Sequence, residues 1–115
     1  SARTLAFGPG HMAGTTVPGD YGNVVISGHR DTHFAFIEHL KDGEKLNLEI
    51  SNGAQKTYEV VGSKVIHQRE IEVAFETGDD RITLITCYPF DSLIPGGPMR
   101  YAVIARALPQ PYLKI

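Results

Sequence analysis

Hydrophobic positions along this chain come in short runs rich in Val, Ile, Thr and Tyr. Turn clusters separate them at Pro18-Gly19-Asp20, Ser51-Asn52-Gly53 and Thr77-Gly78-Asp79-Asp80. Apolar runs punctuated in this way predict a mainly β domain, a barrel or a sandwich. The candidate strands are residues 23–28, 45–49, 56–68, 81–87 and 100–108. Asn-Gly is a strong hairpin signal, so Asn52-Gly53 joins the second strand to the third. Between the first and second strands, Thr32 can cap a short helical turn over 34–40 that ends near Gly43, long enough only for a lid or plug.

The run 81–87 carries the first chemical signal. Alternation places Thr83, Ile85 and Cys87 on one face of the strand and Ile82, Leu84 and Thr86 on the other. Pro89 stops the strand, which leaves Cys87, the only cysteine, at a strand end beside a loop. The loop 88–99 then leads into the strand that begins at Arg100. If these two strands pair as a hairpin, Cys87 and Arg100 lie near each other across the ladder. A fixed cation beside a thiol favours the thiolate. The plain alternative is that Cys87 is a small buried hydrophobe.

Composition narrows the function. With 115 residues and 42% hydrophobic content, the chain suits one globular domain, taken here as 1–115. A formal net charge of −2 offers no basic footprint, so nucleic acid is not an expected partner. The longest apolar stretches, such as Val24-Val25-Ile26, are strand-sized and far short of the roughly 20 residues that cross a bilayer.

Five histidines compete to partner Cys87. His29 has the most telling context, because the apolar run from Val24 passes through Gly28 and sets His29 at a strand end. A strand-end His and a strand-end Cys can converge on one rim of a barrel. There Cys87 would attack a carbonyl, His29 would act as general acid and base, and Arg100 would suit the developing oxyanion or the substrate backbone.

These residues lie in segments that resemble the sortases, cysteine transpeptidases of bacterial cell surfaces. Thr83-Leu84-Ile85-Thr86-Cys87 is similar to the family's TLxTC signature. The likeness extends to Gly8-Pro9-Gly10-His11 with Gly14-Thr15 and Pro18-Gly19, to Gly28-His29-Arg30-Asp31, and to Cys87-Tyr88-Pro89-Phe90 leading to Arg100-Tyr101. By that resemblance His29, Cys87 and Arg100 match the catalytic positions. The fold implied is a sortase-type β-barrel with short helical turns, lacking its first one or two strands and a membrane anchor. The activity implied is cleavage of an LPxTG-like motif between Thr and Gly through a cysteine thioester. An amine of a cell-wall precursor or protein then releases the acyl group. Protein substrates with a C-terminal sorting motif and an amine acceptor are the expected partners, in the cell envelope outside the cytoplasm, with no cofactor and no metal. Ile85 and Thr86, with Ile71, Val73, Ala74 and Phe75 of the loop 69–80, are the expected substrate-binding residues. No Asp-Pro-aromatic lid of the pilin-polymerising class is present in the sequence, and unpaired strand edges predict dimers or strand exchange.

Two other readings compete. His29 and His33 share an H-x3-H spacing to which Cys87 could add a zinc ligand, although no CxxC completes a set. A non-catalytic β domain binding an extended peptide along an open edge is the other. The L,D-transpeptidases fit worse, because their cysteine sits in a different context. Arg30 and Asp31 read as a turn, His39 and His67 as exposed. Glu70, Glu72, Glu76, Asp79 and Asp80 read as a solvated acidic loop, at a place where some sortases bind calcium.

Overall fold

The computed structural model describes residues 3–6, 10–29, 34–50, 53–91 and 96–109. Among the described residues six strands form one curled, half-barrel sheet: β1 (Arg3–Ala6), β2 (Asn23–Ser27), β3 (Lys45–Glu49), β4 (Gln55–His67), β5 (Arg81–Tyr88) and β6 (Met99–Ala107), in the spatial order β1-β3-β4-β6-β5-β2. Four of the five expected strands are reproduced to within a residue or two, and β3 matches at both ends. β1 is an addition. Four residues are too few to show a periodicity, and β1 exists through its parallel pairing with β3, which sets Leu5 beside Leu48.

The expected hairpins form. β3 and β4 pair antiparallel from Lys45↔Glu59 to Glu49↔Gln55, and Gly53 supplies the positive φ of 75° at the turn. Alternation decides what each strand buries. In β3, Leu46 and Leu48 are buried while Lys45 and Glu49 face water, and Lys45 pairs with Glu59 at 3.3 Å. β4 runs on from β3 to β6, with a bulge between Val60 and Gly62 that leaves Val61 on the surface.

The inner face of the sheet carries Val24, Ile26, Leu46, Leu48, Val60, Ile82, Leu84 and Val103, all buried in one cluster with Phe34 and Ile37. Each such side chain contributes about 1.5–3 kcal/mol by leaving water. Phe34 and Ile37 come from the expected helical turn, observed as a 3-10 turn over Ala35–His39. It ends at Leu40, whose N–H donates to the Ile37 carbonyl, so it stops short of Gly43. Thr32, expected as its cap, lies outside the described residues. Burial of Phe34 and Ile37 against the sheet holds the turn in place.

β2 lies at one edge of the sheet, parallel to β5. Residues 10–16 cover its outer side through Met12 N–H to Val25 O (2.8 Å), Ser27 N–H to Gly10 O (2.9 Å) and Thr16 N–H to Asn23 O (3.2 Å). Among the described residues no helix is long and apolar enough to cross a membrane.

Candidate active site

Two ladders meet at one end of the sheet. In the β5–β6 hairpin Cys87 stands directly opposite Arg100, the neighbour expected from the sequence. In the parallel β2–β5 pair Ser27 stands opposite Ile85, and the chain beyond Ser27 continues along β5. Gly28 N–H donates to Ile85 O at 3.1 Å, while the Thr86 hydroxyl donates to Gly28 O at 2.8 Å. The peptide groups at Gly28 are thus held by β5, and the next residue, His29, lines the same groove as Cys87. A groove of about 460 Å³ is lined by Gly10, Ser27, Gly28, His29, Ile85, Thr86, Cys87 and Arg100.

Each of these groups is presented differently. Cys87 is a half-buried free thiol on the outer face of β5, in line with Ile85. His29 is exposed. Arg100 is half-buried, its Nη1 donating to Gly97 O (2.6 Å) and Met99 O (2.8 Å) and its Nη2 to Gln68 Oε1 (3.1 Å). On the opposite face of the hairpin Tyr88, Phe90 and Tyr101 lock together. The Tyr88 and Tyr101 rings stack at 6.0 Å, and Phe90 meets them edge-on at 5.4 and 4.9 Å. That cluster fixes the strand ends that carry the thiol and the guanidinium.

Gly10 shows how tightly the groove wall is built. A Cβ there would sit 2.2 Å from the Ser27 carbonyl oxygen, so only glycine lets residues 10–16 lie against β2 at this point. Gly10 and Ser27 are groove residues that the sequence reading assigned no role. The Gly-Pro-Gly-His run was the signal for Gly10, but Ser27 ends an apolar run and carries no pattern of its own.

Of the expected substrate residues, Ile85 and Thr86 line the groove, and Thr86, nearly fully buried, also holds Gly28. Val73, Ala74 and Phe75 are not among its lining residues. They belong to the 3-10 turn Ile71–Ala74 and its C-cap, which is tied to the far end of β2. The buried Asn23 donates from Nδ2 to Val73 O (2.9 Å) and Phe75 O (3.0 Å), and its Oδ1 accepts from the Thr83 hydroxyl (2.8 Å). Val73 and Ala74 are half-buried and Phe75 is 54% exposed. The Ile71 side chain is outside the described set.

Several acidic side chains of this loop are structural rather than simply solvated. Glu76 Oε1 accepts from the Thr16 hydroxyl (2.6 Å) and from Asn23 N–H (3.0 Å). Asp79 takes both Nε and Nη2 of Arg81 at 2.7 Å, and the Arg81 bonds hold its carboxyl far below the usual carboxylate range. Asp80 pairs with Lys56 at 2.8 Å, and Glu70 accepts from His67 N–H at 2.9 Å. Among the described residues no group of three His, Cys, Asp or Glu is placed to hold a metal. His39 is exposed as expected, whereas His67 is half-buried, and its Nδ1 accepts from Arg69 N–H (3.1 Å). Arg30, Asp31 and His33 lie outside the described residues.

The groove therefore brings together a thiol, an imidazole and a guanidinium. A family model described as Sortase domain matches residues 1–108. Sortase D of Bacillus subtilis (strain 168) is 34% identical over 106 residues, covering 91% of this chain and 52% of the relative. The catalytic domain of B. anthracis SrtD superposes with a TM-score of 0.68 at 37% identity, over 85% of this chain and 65% of that one. The X-ray structure of Clostridium perfringens sortase C with the C-terminal cell wall sorting motif superposes with a TM-score of 0.72 at 30% identity, over 87% of this chain and 55% of that one. The chain spans about half the length of the curated relative it matches.

Proposed function

The chain belongs to the sortase family, and from that premise we propose that it is a cysteine transpeptidase acting at the groove of Cys87, His29 and Arg100. The substrate is a protein carrying an LPxTG-like sorting motif, cut between Thr and Gly, and the setting is the cell envelope. The sorting motif held by the Clostridium perfringens sortase C structure supports this substrate class. The observation that carries the reading is the convergence of two ladders: the hairpin sets Cys87 opposite Arg100, and the parallel β2–β5 pair brings His29 to the same groove.

Chemistry follows from the order of the groups. The Cys87 thiolate attacks the threonine carbonyl carbon, and the Arg100 fork stabilises the oxyanion that forms. As the C–N bond to glycine breaks, imidazolium His29 gives its proton to the departing amine, and the acyl half stays on Sγ as a thioester. An acceptor amine then attacks the thioester. His29 takes the amine proton, the C–S bond breaks, and Cys87 leaves as thiolate, so the cycle ends where it began. Ile85 and Ser27 wall the groove beside the scissile bond, and Val73, Ala74 and Phe75 could meet only a more distant part of a long substrate.

Cys87→Ala tests this. A panel of LPxTG-like peptides is incubated with the parent and the variant, and mass spectrometry searches for cleavage and for an acyl adduct on Cys87. The parent forms the adduct and the variant neither forms it nor cleaves. The fold persists, since thiol-to-methyl removes little apolar area. Cleavage retained in Cys87→Ala overturns the reading.

A further inference from the structure

Among the described residues Arg100 meets three acceptors of unequal independence. Gly97 O and Met99 O belong to its own stretch of chain, so they move with it. Gln68 comes from 32 positions away, just past the end of β4, and reaches Arg100 Nη2 at 3.1 Å. It is the acceptor that refers the plane of the fork to a segment distant in sequence. Gln68 is itself anchored without its side chain, because its N–H donates to Pro98 O at 2.7 Å and the preceding His67 pairs with Met99. Among the described residues the amide side chain serves Arg100 alone. A guanidinium carries about five N–H donors in a rigid plane, more than these three acceptors use. Fixing one edge of that plane on Gln68 aims the others, and Arg100 lines the groove beside Cys87.

We propose that Gln68 is a positioning residue for Arg100, setting the plane of its guanidinium so that donors face the reacting carbonyl oxygen. This rests on the reading of Arg100 as the oxyanion donor. Gln68 also opens the segment that crosses to Asn23 and Glu76.

The test compares Gln68→Ala, which removes the acceptor, with Gln68→Glu, which keeps one at the same reach. On a peptide the parent turns over, Gln68→Ala lowers kcat about tenfold with KM within about twofold, while Gln68→Glu stays within about threefold of the parent, as expected when loss of one charge-assisted hydrogen bond leaves the oxyanion donor less well aimed. In an Arg100→Ala background Gln68→Ala adds nothing. A second readout needs no turnover: side-chain ¹⁵N spectra show resolved Arg100 Nη resonances in the parent and averaged ones in Gln68→Ala. Unchanged kcat in Gln68→Ala, an equal loss in Gln68→Glu, the same loss without Arg100, or identical Nη spectra overturns the proposal. Cleavage retained in Cys87→Ala would instead reject the reading of the site, and the Nη spectra would still decide the role of Gln68.

Discussion

Asn23 offers the sharpest test of how the loop before β5 is held. Its side chain is fully buried and makes three hydrogen bonds, two to backbone carbonyls of the turn and one from Thr83. Asn23→Ala removes all three and strands a buried hydroxyl and two carbonyls. With each bond worth about 0.5–1.5 kcal/mol net, the loss is about 2–4 kcal/mol, a large share of the roughly 5–15 kcal/mol that a domain possesses. In urea, with a slope of roughly 1–3 kcal/mol per molar, the midpoint falls by on the order of 1–2 M. Asn23→Asp has the same shape but sets a buried carboxylate against the Val73 and Phe75 carbonyls. Burial and those carbonyls raise its folded pKa above the ordinary value of about 3.9. Its stability is then present below that value and lost as pH rises through the folded one. Asn23→Asp is therefore less stable than Asn23→Ala at pH 7, and the gap narrows toward pH 4. Urea curves for the three proteins at both pH values decide it. An Asn23→Ala midpoint equal to the parent's, or a gap independent of pH, refutes the reasoning.

Two further outcomes are expected. Arg100→Ala lowers the peptide cleavage rate by about 100 to 1,000 fold, the usual loss for one oxyanion donor. Arg100→Lys is also severe, because it keeps the charge and loses the planar fork; steady-state rates with folding checked separately measure both. Asp79, whose carboxyl Arg81 holds far below the usual range, stabilises the fold above its unfolded value of about 3.9 and ceases to do so as pH falls toward its folded one. Asp79→Asn is thus less stable than the parent at neutral pH, with the difference shrinking in strong acid, as urea midpoints across that range will show.

What the sequence disclosed depended on how local the contact is. Cys87 and Arg100 face each other across a hairpin, and strand limits set by Pro89 and the Gly-Pro loop were enough to align them. His29 was legible as a strand-end residue, but its route to Cys87 was not. That route is the parallel pairing of β2 with β5, which joins distant segments and leaves no local pattern. Asn23 looked like the polar start of an apolar strand, and only the fold shows that it holds Val73 and Phe75. For the same reason Glu76 and Asp80 looked like solvated charges, since the hydroxyl and lysine that meet them lie in other segments.

The two ladders at the groove also differ in the order in which a chain can make them. The β5–β6 hairpin closes a short loop, a microsecond-scale event, and can set thiol and guanidinium side by side while much of the chain is still loose. The clamp between Thr86 and Gly28 joins residues 58 positions apart, and its closure entropy is met only when the intervening strands have found their places. Placing His29 in the groove therefore carries the higher closure cost of the two. Refolding monitored by peptide cleavage is therefore expected to lag behind refolding monitored at the hairpin.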